Sequence, residues 1–218
     1  VFFESKTKNL NDFSQWWRLQ KEVNWKQPYG KKSTIDTILD HPVIHVSWDD
    51  AVAYCKWKGR RLPTEAEYEY AMRSGNSNTT YTWGNQSIDT GEQKANVWQG
   101  DFPSNNMVLD DFYYTSPVKS FGDNDFGLYD ISGNVWEWCS DLYHSDYYST
   151  ISNKVANNPK GPKKSFDPND PFSSKRVMRG GSFLCNDSYC SGFRNSMRMK
   201  STPDSSSQHV GFRTVLDL

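Results

Sequence analysis

Arg61-Leu62-Pro63-Thr64-Glu65-Ala66-Glu67-Tyr68-Glu69-Tyr70 is the stretch from which the fold can be read outward. Thr64 followed by Glu67 at the third helical position forms a capping box, in which each side chain satisfies the other residue's free amide. The helix it starts runs through Ala71 and Met72 to about Arg73, with Gly75 as its stop. Upstream, Ser47 caps a helix over residues 48–57, and Asp49 and Asp50 stand in its first turn, where the helix dipole favours anions. Val52 and Cys55 share one face of it and Gly59 can end it. From Tyr81 onward the helical period vanishes. Residues 81–85, 96–98 and 117–121 read as brief strands and structured loops between Gly, Asn, Asp and Pro. Residues 176–179 make a strand candidate and 210–215 a last strand, while 154–174, polar and rich in Pro and Lys, read as an exposed excursion. Before the helices, Val1-Phe2-Phe3-Glu4 reads as part of a strand or packed segment, and Trp16, Trp17 and Trp25 anchor a run of turns. The expectation is an irregular, loop-rich α+β domain spanning 1–218, with little regular secondary structure.

Composition agrees with that expectation. Aromatic residues make up 15% of the 218 residues, with 9 Trp, although the apolar fraction is only 35% and the mean hydropathy is −0.83. A chain short of aliphatics still builds a core if large rings supply it, since each buries roughly 150–250 Å². Lys and Arg number 25 against 26 Asp and Glu, for a net charge of −1, which gives no electrostatic reason to expect nucleic acid or an anionic membrane as partner. No apolar run approaches the roughly 20 residues that span a bilayer, and no charged-then-apolar leader opens the chain.

Cys185-Asn186-Asp187-Ser188-Tyr189-Cys190 is the stretch with the most chemistry. In a straight strand this spacing would point the sulfurs to opposite faces. Asn, Asp and Ser are turn formers, so a bend brings both sulfurs to one point. Soft thiolates favour Cu(I), Zn(II) or iron–sulfur clusters. Structural zinc wants four protein ligands, and no second cysteine pair or histidine set supplies them, whereas Cu(I) accepts few soft ligands. A disulfide, or two unrelated buried thiols, accounts for the same spacing, and the residues alone leave these readings open. His41 and His45 flank Pro42, which argues against a helical pair; His144 and His209 stand alone. Asn96-Val97 with Asp110-Asp111-Phe112, and the loop from Asp130 to Glu137, offer the carboxylate, amide and backbone oxygens that calcium takes. Neither matches an EF-hand, and solvated carboxylates are the plainer alternative.

Taken in order, the chain resembles the formylglycine-generating enzyme, or sulfatase-modifying factor, family. The resemblance rests on His41-Pro42-Val43, Val46-Ser47-Trp48-Asp49-Asp50-Ala51, the capping-box stretch, Trp83-Gly84-Asn85 and Ala95-Asn96-Val97-Trp98-Gln99-Gly100. It continues through Gly127-Leu128-Tyr129-Asp130, Gly133-Asn134-Val135-Trp136-Glu137-Trp138 and Arg179-Gly180-Gly181-Ser182 to the cysteine pair, Thr202-Pro203-Asp204-Ser205-Ser206 and Gly211-Phe212-Arg213. Most of these motifs mark only a superfamily with an irregular C-type lectin-like fold, which also holds non-catalytic paralogues, ligand-binding proteins and iron-dependent sulfoxide synthases. The cysteine pair together with residues 202–206 marks the catalytic branch.

The resemblance implies a copper-dependent oxidase that uses O2 to convert a cysteine, in a Cys-x-Pro-x-Arg segment of a sulfatase polypeptide, to Cα-formylglycine. It places Cu(I) on Cys185 and Cys190, oxygen beside Ser182 and Trp136, and the peptide along Tyr189, Arg198, Asp204 and His209. It maps structural Ca2+ onto Asn96, Val97, Asp110 and Phe112, and a second onto Asp130, Gly133, Val135 and Glu137. Within these sets Val97, Phe112, Gly133 and Val135 would use backbone oxygens. The family's N-terminal block is absent before Val1, so the resemblance implies a fragment or a block supplied as a separate chain. Asn186 stands where animal members carry His, His209 where many have Asn, and Ser191-Gly192-Phe193 is atypical. Asn195, Met72 and Thr214 replace cysteines that form disulfides in animal members. The consequent lack of paired structural cysteines points to a reducing compartment and a cytoplasmic, bacterial-type enzyme. Two rivals remain: a non-catalytic lectin-like binding module with a plain disulfide, and an iron-dependent sulfoxide synthase, which needs clustered histidines.

Overall fold

Both N-caps read from the sequence form in the computed structural model, which describes residues 1–2, 12–152 and 155–217. Helix α1 is Trp48–Trp57; the Asp50 amide donates to Ser47 Oγ at 3.1 Å and the Asp50 carboxylate accepts the Ser47 amide at 2.9 Å. Helix α2 is Glu65–Arg73, with the Glu67 amide donating to Thr64 Oγ1 at 3.2 Å and the Thr64 amide donating to Glu67 at 2.8 Å. Its stop comes one residue before the expected glycine, at Ser74, which takes the left-handed conformation with φ of 48°.

The remaining elements are short: β1 (Trp136–Leu142), α3 (Tyr147–Ile151), β2 (Arg176–Arg179), β3 (Met199–Ser201) and β4 (Val210–Gly211). They form one sheet in the order β3-β2-β1-β4, with β2 antiparallel to both neighbours and β4 parallel to β1. The strand candidate at 176–179 therefore stands. The expected last strand shrinks to two residues, plus an isolated bridge from Val215 to Arg61. Residues 81–85, 96–98 and 117–121 form no named strand; Tyr81 and Gly84 bridge each other, and Tyr81 also bridges Arg194. The central strand β1 falls where the sequence reads as a cation loop. Four consecutive buried residues, Trp136 to Cys139, erase the alternation by which a half-buried strand is recognised.

Phe2 is buried and bridges Trp17, whereas Phe3, Glu4 and Lys154 lie outside the described residues. The excursion 155–174 is not uniformly exposed, because Asp167 is buried at 1% and accepts Lys175 Nζ at 2.7 Å. The core is aromatic, as composition required. One cluster gathers Phe2, Trp16, Trp98, Phe102, Phe183 and Leu184, and another sets Trp136 and Trp138 of β1 against Ala51 and Cys55 of α1. Cys55 and Cys139 are free and buried. The expectation that the chain lacks paired cysteines is corrected, since Cys185 and Cys190 are bonded to each other. No helix among the described residues is long and apolar enough to cross a membrane.

Beneath the sheet lies a buried ion network. Arg179, wholly buried, reaches Glu69 at 2.8 Å and Glu65 at 3.4 Å, and Arg198 forks onto Glu65 at 2.6 and 2.8 Å. Such charges are tolerated inside only when paired. Replacing Glu65 by Ala leaves two guanidinium groups short of their carboxylate and should lower stability by about 3–5 kcal/mol, read from the midpoint of denaturant unfolding.

Candidate active site around the cysteine pair

The site begins with two glycines. Gly180 and Gly181 have φ of 94° and 80°, and a Cβ on Gly181 would lie 2.6 Å from the backbone of Gly192 and Phe193. Two loops thus meet backbone to backbone, and only residues without a side chain allow it. Ser182, buried at 0%, follows, and its carbonyl accepts the Cys185 amide at 2.8 Å.

Asn186 then folds the chain back. Its carbonyl accepts the amides of Cys190 at 3.1 Å and Ser191 at 2.9 Å, and its Oδ1 accepts those of Ser188 and Tyr189 at 3.1 and 3.0 Å. Its Nδ2 donates to the Gly100 carbonyl at 2.9 Å, tying the hairpin to the next loop. The bend read from Asn, Asp and Ser is therefore real: the Cα atoms of Cys185 and Cys190 are 5.3 Å apart and their sulfurs are bonded. Cys185 is buried while Cys190 is partly exposed.

Trp136, at the start of β1, forms the floor. A Cβ on Gly192 would stand 2.5 Å from the Trp136 ring and 2.8 Å from the Cys185 sulfur, so ring, glycine and sulfur converge on one point. The residue that looked atypical in the sequence, Gly192, is the one this contact requires. Ser182 Oγ lies 3.9 Å from the Cys185 sulfur and 3.1 Å from His209 Nδ1, and the Leu184 amide donates to it at 3.3 Å. His209 is held by its own carbonyl, which accepts the Trp136 amide at 2.8 Å, and by the Trp17 ring 5.0 Å away. Tyr189 stacks on Phe102 at 4.3 Å, and burial pushes its phenol up. The sequence marks Trp17 only as a turn anchor and Gly192 only as atypical; their contacts at the site are hidden because each is made with a distant segment.

Two expected groove residues are not gathered here. Arg198 sits beyond the opposite end of β1, committed to Glu65 and to the His144 carbonyl at 3.1 Å. Asp204 is exposed on the 202–205 turn, whose Pro203 carbonyl accepts the first amide of α1.

The two calcium sets differ. In the first, Asp110 is buried and accepts the Val97 amide at 3.1 Å, the Phe112 amide at 3.0 Å and Gln99 Nε2 at 2.8 Å; burial raises its carboxyl. Asn96, 1% exposed, donates Nδ2 to the Tyr114 carbonyl at 2.8 Å, and its Oδ1 is buried without a partner. An orphaned buried oxygen on Asn96 and a desolvated carboxylate that holds the amide of the next residue, Val97, are oxygens of the kind a hard cation takes. In the second set Glu137 gives both oxygens to Arg213, one at 2.8 Å, and Asp130 accepts the Lys119 amide at 2.7 Å. Gly133 packs against the Asn96 carbonyl and Val135 lies in the core. A guanidinium already supplies the positive charge there, so these residues do not fit a cation in this arrangement. Among the described residues no three His, Cys, Asp or Glu side chains cluster as metal ligands.

Desolvation by burial pushes His209 down to about 3 from 6.5. The unfolded chain therefore binds this proton first. Stability from the neutral imidazole is complete above about pH 6.5 and is lost as pH falls towards about 3. His209→Phe should flatten that part of the stability–pH curve, measured by denaturant unfolding at a series of pH values.

The sulfatase-modifying factor enzyme 1-like domain covers residues 3–218. The formylglycine-generating enzymes of Thermomonospora curvata and Bos taurus are 45% and 47% identical to the chain, over 93% of it and over 64% and 51% of their own lengths. The inactive C-alpha-formylglycine-generating enzyme 2 of Mus musculus is 39% identical over 95% of the chain and 59% of its own length. The chain thus spans between about half and two-thirds of these relatives. Among solved structures, PvdO from Pseudomonas aeruginosa matches with a TM-score of 0.62 at 25% identity, covering 87% of the chain and 65% of PvdO. Treponema denticola variable protein 1 matches with a TM-score of 0.62 at 21% identity, covering 88% of the chain and 77% of that protein, a likeness of fold alone. A loop-rich α+β domain of the C-type lectin-like kind, matched almost from end to end, belongs to the sulfatase-modifying factor enzyme 1-like domain family.

Proposed function

We propose that the chain carries the sulfur centre of a formylglycine-generating enzyme, which oxidises a cysteine of a sulfatase polypeptide to Cα-formylglycine with O2. The observation that carries this reading is the Asn186 turn, which presses Cys185 and Cys190 together against Trp136 and Ser182. Identity of 45–47% to relatives named for that activity supports it. Once reduced, the pair is a soft, two-sulfur donor set of the kind Cu(I) prefers, and copper bound there would supply one-electron oxygen chemistry.

The chain's own residues have separable tasks in this reading. Cys190, the more accessible sulfur, faces the incoming substrate thiol, while Cys185 anchors the centre from inside. Trp136 and Gly192 close the floor and keep water from the sulfurs. Ser182 holds a hydroxyl proton beside Cys185, and Tyr189 and His209 flank the approach. Asn96, Val97, Asp110 and Phe112 would hold a structural Ca2+, which relieves the buried charge on Asp110. The free thiols Cys55 and Cys139 are what remains to support a reducing, cytoplasmic setting. The remainder of the relatives' length, supplied as a separate chain, is a further candidate partner.

The bonded state of the sulfurs favours one rival, a lectin-like binding module whose hairpin is stapled for good. A test separates the two. Reduced protein, Cu(I), O2 and a Cys-x-Pro-x-Arg peptide should yield a peptide aldehyde, detected by mass and hydrazide trapping, and Cys185→Ser or Cys190→Ser should abolish it. Absence of both aldehyde and stoichiometric Cu(I) binding would leave the binding module. Millimolar Ca2+ should raise the thermal midpoint, and Asn96→Ala should remove that increment.

A further inference from the structure

Gln99 is 4% exposed, and both polar atoms of its side chain are matched. Its Nε2 donates to the Val97 carbonyl and to Asp110 Oδ2, the latter at 2.8 Å, and its Oε1 accepts the Leu109 amide at 3.1 Å. Neighbours with a single role fix which way this amide points. A backbone N–H only donates and a backbone carbonyl only accepts, so the oxygen faces Leu109 and the nitrogen faces Val97. The main chain of Gln99 is stitched to the same loop. Its amide donates to Asn106 Oδ1 at 3.2 Å, and its carbonyl accepts the Met107 amide at 2.7 Å. One buried residue thereby ties the 96–100 segment to the 106–110 loop at both its backbone and its side chain.

The side-chain bonds land on the first cation set. Gln99 shares Asp110 Oδ2 with the Val97 amide, while Asp110 Oδ1 accepts the Phe112 amide. A carbonyl oxygen has two lone pairs, and Val97 gives one of them to Gln99. Acceptor capacity therefore remains on the Val97 carbonyl, and on the buried Oδ1 of Asn96, after Gln99 is served. A cation taken up by this set need not displace the amide.

We infer that Gln99 is a positioning residue for the cation set of Asn96, Val97, Asp110 and Phe112: its one NH2 group grips the Val97 carbonyl and the Asp110 carboxylate and fixes their spacing. This deepens the reading that the set takes Ca2+, and rests on it. Ligands already held by outer partners lose less freedom when an ion binds. The grip also reaches the sulfur site. The Trp98 amide donates to the Cys185 carbonyl at 3.0 Å, and the Gly100 carbonyl accepts Asn186 Nδ2 at 2.9 Å. The segment that Gln99 anchors is the one on which the cysteine hairpin rests.

Calorimetric titration of the full chain, first stripped with a chelator, tests this with Ca2+ alone and with Sr2+ alone. Gln99→Met, which keeps the length of the side chain and removes its hydrogen bonds, should weaken Ca2+ binding by about tenfold or more. The preference for Ca2+ over the larger Sr2+ should fall too, because a looser set discriminates size less. Gln99→Asn, an amide one methylene too short, should weaken binding in the same direction, and it stands in if Gln99→Met does not fold. Each variant's thermal midpoint with Ca2+ is read against its own midpoint in chelator, so that a general loss of stability does not count as a loss of binding. Unchanged Ca2+ affinity in the variants, or an affinity that falls equally for both ions, would overturn the grip and leave the cation reading standing. A wild-type chain that bound neither ion would sink the cation reading, and this inference with it.

Discussion

The backbone contact between the 180–182 loop and the 191–193 loop is the constraint on which the site depends. Gly181 meets Gly192 and Phe193 too closely for any side chain, and Gly192 meets the Trp136 ring and the Cys185 sulfur. Close packing at this point holds Ser182 and both cysteines, none of which lies on a regular element, in fixed relation to the indole at the start of β1. The hairpin turn at Asn186 then needs only a few amide bonds to return Cys190 to its partner. An architecture with so little helix and strand positions chemistry by such contacts between loops.

Charge is organised by the same economy. Arg179, Arg198 and Arg213 are each buried or largely buried and each is matched to a carboxylate, Glu65, Glu69 or Glu137. The pairs on Glu65 lock α2 to the sheet beyond one end of β1, and Arg213 locks the 129–137 loop near the other. Between them, among the described residues, the groups gathered at the sulfur centre are a hydroxyl, an imidazole held neutral by desolvation, an indole and two sulfurs. A soft, low-charge pocket of this kind contrasts with the oxygen-rich first cation set around Asp110. The two environments sort ligands by hardness, sulfur for soft ions and carboxylate for hard ones.

What was legible in the chain followed from local rules. Both helix starts are visible because a cap and its third residue lie within one turn. The sulfur hairpin is visible because Asn186, Asp187 and Ser188 carry turn chemistry in their own side chains. Strand β1 was hidden, since residues buried on both faces leave no periodic signature, and its first carboxylate, Glu137, read as a cation ligand when its partner Arg213 lies far along the chain. Arg198 shows the same limit: its position in a motif says nothing of Glu65, which it meets across the fold.

The sequence by itself carried the family resemblance through its motifs, and it determined the aromatic core, the two capped helices and the turn chemistry between Cys185 and Cys190, because these rest on neighbours in the chain or on composition. Only the tertiary structure decided which carboxylates are spent on arginines, why Gly192 must be a glycine, and that Ser182 stands between an imidazole and a sulfur. Those outcomes depend on groups brought together from segments up to more than a hundred residues apart. No local pattern encodes such distances, since they are set by how the whole chain packs.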